Sequence, residues 1–153
     1  MIFSNLKAGS NFNDEEQRTG AGTNGVGSTL TNIYSKSFTI TTCDGKNQFT
    51  QTFSDNMRNR TVPNVKKGSK NHTEISFLTD YEKFGLSGID VNHFKMIEKR
   101  VYDLAACNTH LKIHFNNKLL NFGTFEDYVK LYVKDYFYET SKDGKVWEII
   151  KHI

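Results

Sequence analysis

The amino-acid sequence predicts an α+β fold, and three observations support this prediction. A glycine-rich stretch, Gly20 to Gly27, runs directly into apolar residues at helical spacing. Two alternating segments, 37–43 and 46–53, lie on either side of Asp44-Gly45, a dipeptide typical of tight β-hairpins. After Asp90, apolar residues recur three and four positions apart, which is typical of an amphipathic helix that packs against a sheet.

Shorter patterns predict the remaining elements. Thr124 and Asp127 have the spacing of a capping box, in which two side chains satisfy the free N–H groups at a helix start. The other expected elements are a short helix over 2–7, a helix over 25–35, a strand over 73–78, a strand that ends at Asn116-Asn117, and a hairpin about Asp143-Gly144.

The glycine-rich stretch is interpreted as a phosphate cradle. Glycine backbone can come close to a ligand, so that successive N–H groups point at phosphate oxygens, and the helix that follows adds its positive end. The polar residues before Gly20 argue against a Rossmann turn, and the absence of lysine before Ser28 argues against a P-loop. A flexible linker without a ligand is the alternative. Leu30, Ile33 and Tyr34, at helical spacing, favour the ordered loop and helix.

Composition restricts the class of protein. The chain has 153 residues, of which 37% are hydrophobic and 13% aromatic, enough for the core of one domain. A formal net charge of +3 is too weak to imply nucleic-acid binding by itself. The basic run over 55–70 is more typical of a solvated loop and edge strand than of a nucleic-acid contact. With no long apolar run and no signal peptide, an intracellular protein is expected.

Cysteine and histidine provide no metal-binding pattern. Cys43 and Cys107 lack the spacing of a metal or redox pair, and we interpret them as reduced packing residues. The histidines are scattered, and no carboxylate or cysteine completes a ligand set around them. No metal site is therefore predicted within this chain.

Several motifs along the chain keep the order and spacing of one known family. They are Met1-Ile2-Phe3, Ser10-Asn11-Phe12, Asn13 to Glu16, Asn24-Gly25-Val26-Gly27, Leu30 to Ser35, His72 to Asp80 with Phe84, Arg100 to Ala105, Phe115 to Lys118, and Phe125 with Tyr128 to Val133. Together they closely resemble the ATPase domain of type IIA DNA topoisomerases, of the eukaryotic and T4-like phage kind. The register of Arg100 to Ala105 argues against the related mismatch-repair and chaperone ATPases.

The resemblance implies a partial Bergerat (GHKL) ATPase fold, which is a two-layer sandwich of a mixed, mostly antiparallel sheet with helices on one face. Residues 1–135 would be the second half of that domain, with the ATP lid over 9–27. Residues 136–153 are expected to form a hairpin or the start of the transducer region. The family's catalytic glutamate, magnesium-binding asparagine and adenine-reading aspartate lie upstream of the lid. We expect no counterpart of them, and no catalytic residue, in this chain.

The resemblance also implies a function. The chain would be the ATP-binding part of an ATP-dependent type II DNA topoisomerase, an isomerase, as a fragment or split-gene product that is inactive alone. The alternative is a non-catalytic fragment that binds and modulates a topoisomerase. The expected cofactors are ATP and Mg²⁺, with the magnesium ligand on the upstream half. The implied ATP-binding residues are Ser10, Asn11, Gly22, Asn24, Gly25, Val26, Gly27 and Thr73.

The expected partners follow from that function. They are the upstream ATPase half, the remaining topoisomerase subunits and, through the complete enzyme, duplex DNA; no membrane is expected. A homo-oligomer through an exposed apolar face is a further expectation. The compartment would be the cytoplasm of a bacterial host for a phage protein and the nucleus for a eukaryotic one.

Overall fold

The computed structural model describes residues 2–9, 11–13, 15, 22–133, 137–140 and 147–150. The chain divides into two units, Met1–Gly88 and Ile89–Ile153. The elements of the first unit are α1 (Gly27–Ile33), β1 (Ser35–Cys43), β2 (Asn47–Ser54), β3 (Asn59–Arg60), β4 (Asn64–Lys67), β5 (His72–Thr79) and a 3₁₀ turn (Tyr81–Phe84). Its strands form one antiparallel sheet in the order β3-β2-β1-β5, in which β4 also pairs with β2.

The predicted hairpin about Asp44-Gly45 is confirmed as β1 and β2. The Asp44 carboxylate accepts the backbone N–H groups of Asn47 at 2.7 Å and Lys46 at 2.8 Å. These bonds hold the pKa of Asp44 below its usual range, because they favour the charged carboxylate. Gly45 has a φ of 89°, which side-chain-bearing residues rarely adopt. The sequence of the turn therefore fixes the register of both strands.

The sheet has one apolar and one polar face. On the apolar face, Phe38 is 1% exposed and forms the core of the unit with Ile40 and Phe53. On the other face, threonine hydroxyls bind each other across β1 and β2, Thr39 to Thr52 at 2.9 Å and Thr41 to Thr50 at 3.2 Å. This alternation is the period of two that the sequence shows in both strands.

The prediction of a helix over 2–7 is wrong. The described residues of this N-terminal segment form turns, and Phe3 packs on Phe38 with its ring centroid 5.9 Å away. The carbonyl oxygens of Ile2, Phe3 and Asn5 accept hydrogen bonds from side chains of α1. Tertiary hydrogen bonds therefore replace the helical ones. The helix predicted over 25–35 is present but shorter, as α1.

The second unit contains α2 (Val91–Cys107), β6 (Ile113–Phe115), β7 (Lys118–Leu120), α3 (Phe125–Val129), β8 (Phe137–Thr140) and β9 (Trp147–Ile150). Strands β6 and β7 pair with each other, as do β8 and β9. Asn116 and Asn117 have φ values of 48° and 64°, as the tight turn of a hairpin requires. Sequence analysis ended a strand there and missed β7. The capping box of Thr124 and Asp127 is confirmed at the start of α3.

Helix α2 is the long amphipathic helix expected after Asp90, but part of its apolar stripe does not pack as predicted. Val91 is 68% exposed, Ile97 47% and Leu104 56%, whereas Ala105 is buried. Phe94 meets Phe115 of β6 with a centroid distance of 5.8 Å. In its own unit α2 contacts β6 and α3, and these short elements are too small to cover a stripe of this length.

The two cysteines differ in exposure. Cys107 is exposed, so its predicted packing role is wrong, whereas Cys43 is buried as expected.

None of the helices in the described part of the chain is both long and apolar enough to cross a membrane.

Lowering the pH below about 4 is expected to weaken the start of α2. The Asp90 carboxylate accepts the backbone N–H of His93 at 2.8 Å, and this bond, with the His93 ring, holds the pKa of Asp90 below its usual range. Because the folded-state pKa of Asp90 is lowered, the stabilisation of α2 by this carboxylate is complete above the unfolded-state pKa. It is lost as the pH falls through the folded-state value. The chemical shift of the His93 backbone amide, measured by NMR as a function of pH, checks this expectation. A shift profile unchanged by Asp90→Ala would contradict it.

Candidate functional site

The loop before α1 makes a close backbone contact that only glycine allows. Gly25 has a φ of 59°, and a Cβ placed on it would lie 2.4 Å from the backbone nitrogen of Gly9. The same Cβ would lie 3.1 Å from the nitrogen of Ala8. Both the left-handed conformation and the lack of space therefore require glycine at position 25.

The start of α1 contains backbone donors that have no acceptor within the helix. The first helical bond runs from the Leu30 N–H to the Val26 carbonyl at 2.9 Å, so helix geometry leaves the N–H groups of Gly27, Ser28 and Thr29 without an intrahelical acceptor. Val26, the N-cap residue, provides no side-chain cap, and the first turn contains no acidic residue. Donors in a first turn that has no carboxylate of its own suit an anionic ligand.

Side chains of α1 anchor the helix to the N-terminal segment. Thr29 and Asn32 are 1% and 0% exposed, and both point into the unit. The bonds are Ser28 Oγ to the Ile2 carbonyl at 3.0 Å, Thr29 Oγ1 to the Asn5 carbonyl at 2.9 Å, and Asn32 Nδ2 to the Phe3 carbonyl at 2.9 Å. The orientation of α1, and with it of the donors at its start, is therefore set by buried polar side chains.

The two ends of the expected lid lie close together. Gly9 contacts Gly25 through the backbone, and Asn11 Nδ2 donates to the Gly22 carbonyl at 3.0 Å. Asn11 and Gly22 thus lie at the base of the segment expected to be the lid. Ser10 and residues 16–21 lie outside the described residues, so the structure does not place them.

Thr73 lies on β5, opposite Thr42 of β1, and the two Oγ1 atoms are 3.2 Å apart. Thr42 lines a cavity of about 460 Å³, together with Ile40 and residues of the N-terminal segment that include Ile2. Because Ser28 of α1 binds the Ile2 carbonyl, the N-terminal segment connects the start of α1 with the end of the sheet that carries Thr73. The loop residues and Thr73 thus belong to one unit, and Thr42, the partner of Thr73, lines the same cavity as the N-terminal segment.

Sequence reasoning missed the residues that support this loop. Gly9 was placed only at the edge of the lid, and no supporting contact was predicted for Thr29 or Asn32. No local pattern reveals them, because their partners lie between 16 and 29 positions away along the chain. Within the described ranges, no three histidine, cysteine or acidic residues are grouped closely enough to hold a metal ion.

Known proteins are similar to this chain over most of its length. The mitochondrial DNA topoisomerase 2 of Dictyostelium discoideum is 45% identical over 139 residues, which cover 86% of this chain. The solved ATPase region of Saccharomyces cerevisiae topoisomerase II covers 91% of this chain with a TM-score of 0.84 at 30% identity. This chain is a homologue of the ATPase region of type II DNA topoisomerases. The resemblance expected from the sequence motifs is confirmed.

The topoisomerase fold is confirmed as well. The solved ATPase and transducer domains of DNA topoisomerase II from Balamuthia mandrillaris match with a TM-score of 0.83 at 33% identity over 94% of this chain. The fold is therefore α+β, of the GHKL type. No profile of a known protein family matches the chain. The chain spans 11% of the Dictyostelium relative and 39% of the two solved chains.

Proposed function

We propose that the chain is the lid-bearing part of the ATPase region of an ATP-dependent type II DNA topoisomerase. The observation that supports this most directly is the loop before α1, with its left-handed Gly25 and its free N–H groups, inside a homologue of that region. In this proposal residues 1–135 form the second half of the ATPase domain. Residues 136–153, which include the β8 and β9 pair, begin the transducer region.

Each site residue has a proposed role. The backbone of Asn24, Gly25, Val26 and Gly27 donates to the phosphates, since these residues precede the uncapped start of α1. Ser10 and Asn11 bind on the ribose and phosphate side. Gly22, whose carbonyl accepts the Asn11 side chain, is a further ATP-binding residue. Thr73 lies at the adenine end. ATP, when bound, supplies the phosphoanhydride bond whose hydrolysis drives the enzyme, and Mg²⁺ would be held by the upstream half.

The isolated chain is proposed to hydrolyse ATP negligibly. Hydrolysis needs a general base held near the terminal phosphate. The first turn of α1 carries no acidic residue, and no carboxylate takes part in the described contacts of Gly25 with Gly9 and Ala8. We therefore expect the described part of the loop to bind an anion without activating water. Duplex DNA and the other topoisomerase parts act through the complete enzyme, inside the cell.

Replacement of the matching segment in a complete enzyme tests this function. The 139-residue match in the Dictyostelium mitochondrial enzyme is exchanged for this chain, and DNA-dependent ATP turnover and duplex passage are measured. The control is the same enzyme with that segment deleted. We expect both activities in the exchange enzyme and neither in the control.

Two outcomes would contradict the proposal. One is a folded exchange enzyme without DNA-dependent ATP turnover. The other is inhibition of the intact Dictyostelium enzyme by the added free chain, together with an inactive exchange enzyme. The second result would favour the non-catalytic modulator.

A further inference from the structure

A pair of threonines continues the apolar face of the sheet in the first unit. Thr42 of β1 lies opposite Thr73 of β5, directly after the apolar pair of Ile40 and Ile75 on the same face. Thr42 is half-buried, whereas Thr73 is exposed and accessible to a ligand. A hydroxyl group beside an apolar surface can orient a flat, largely apolar ring, and it can thereby determine which ring is accepted.

The hydrogen bonds around Thr42 have a direction. Its Oγ1 donates to the backbone carbonyl of His72 at 3.4 Å, and a carbonyl oxygen can only accept. Because a threonine has one hydroxyl hydrogen, Thr42 Oγ1 is the acceptor in its 3.2 Å contact with Thr73 Oγ1. The hydroxyl hydrogen of Thr73 is therefore used within the protein. The lone pairs of Thr73 Oγ1 are left to accept a hydrogen bond from a ligand.

We infer that Thr42 makes Thr73 select adenine over guanine. This inference rests on the proposed function, which puts Thr73 at the adenine end of the nucleotide. Adenine carries an amino group at C6, which donates hydrogen bonds, whereas guanine carries a carbonyl oxygen there, which only accepts. An accepting Thr73 oxygen matches the amino group of adenine, but its lone pairs face those of the guanine carbonyl. Thr42 is a positioning residue, because it acts on the base through Thr73.

Thr42→Val is expected to reduce the preference for adenine. Valine has nearly the shape of threonine and suits a strand, but it has no hydroxyl. The hydroxyl hydrogen of Thr73 then loses its acceptor and can be donated to the guanine carbonyl. The test protein is the Saccharomyces cerevisiae ATPase region that carries this chain in place of its matched segment. Isothermal titration measures its affinity for nonhydrolysable analogues of ATP and GTP. We expect the ratio of the two affinities to fall at least about tenfold, with a gain in affinity for the GTP analogue.

Three further variants separate this role from a purely structural one. Thr42→Ser keeps the hydroxyl and should keep the preference for the ATP analogue. Thr41→Val is the matched control, because Thr41 and Thr50 form a pair of the same length, 3.2 Å, on the opposite face of the sheet. It should leave the ratio unchanged. In the Thr73→Val background, adding Thr42→Val should not change the ratio further, because Thr42 acts only through Thr73.

Three results would overturn the inference. They are a loss of affinity for the GTP analogue in Thr42→Val, an unchanged ratio in that variant, and an equal fall of the ratio in Thr41→Val. Failure of the proposed function has a different signature. The test protein without any substitution would then fold but bind neither analogue, and the inference would fall with it.

Discussion

Replacing Phe38 with alanine is expected to destabilise the first unit more than truncation of any other side chain in its core. Phe38 is 1% exposed and contacts the rings of Phe3, Phe53 and Phe77. Truncation of a buried phenylalanine removes transfer free energy and leaves a cavity, at a cost of about 3–5 kcal/mol. Domains of this size have a total stability of about 5–15 kcal/mol, so we expect a large unfolded fraction near body temperature.

Urea unfolding followed by circular dichroism measures this effect. Phe84→Ala is the matched control, because Phe84 is 52% exposed and its deletion should cost less than about 1 kcal/mol. Equal unfolding midpoints for Phe38→Ala and Phe84→Ala would show that the core lies elsewhere.

Gly25→Ala is expected to give the largest loss of ligand binding. The substitution places a Cβ 2.4 Å from the Gly9 nitrogen and holds alanine at a φ of 59°. The left-handed conformation alone costs about 1–2 kcal/mol for an L-residue, and the contact forces Gly9 and Gly25 apart. The N–H groups at the start of α1 would then lose their alignment. In the yeast ATPase region that carries this chain in place of its match, affinity for a nonhydrolysable ATP analogue should fall at least about tenfold.

The control for this variant is Gly88→Ala. A Cβ on Gly88 meets no atom within 4 Å, so that substitution should leave affinity unchanged. If affinity for the ATP analogue survives Gly25→Ala, the close backbone contact of Gly9 with Gly25 does not position the phosphate donors.

Elements with local signals were predictable from the sequence. The β1 and β2 hairpin follows from Asp44-Gly45, since the aspartate binds the turn amides and glycine supplies the positive φ. The start of α2 follows from Asp90, and that of α3 from Thr124 with Asp127, because each side chain binds N–H groups three residues away or less. At these positions the two hydrogen-bonding residues lie within three positions of each other in the sequence.

Elements that depend on distant partners were not predictable in the same way. The N-terminal segment has a helical apolar pattern, but its carbonyls bind side chains of α1 more than twenty residues later. Sequence periodicity also predicted burial for Val91, Ile97 and Leu104, because it reports an apolar face and not the element that covers it. Strand β7 is three residues long, which is too short for a period of two to be visible.

The same distinction between local and distant contacts applies to the candidate site. The loop over Asn24 to Gly27 was recognisable, because glycine spacing and the helix that follows are local features. Its support by Gly9, Thr29 and Asn32 was not, because these contacts exist only in the folded chain. The ATP-binding roles of Asn24 to Gly27 stay predictions, as do those of Ser10, Asn11, Gly22 and Thr73.

Isothermal titration of a nonhydrolysable ATP analogue is the most direct test of the account. The protein is the Saccharomyces cerevisiae ATPase region in which this chain replaces the matched segment, and its folding is checked first by thermal unfolding. We expect the analogue to bind in an equimolar ratio. A folded protein that takes up no analogue would contradict the account, because the loop at Gly25 would then hold no phosphate.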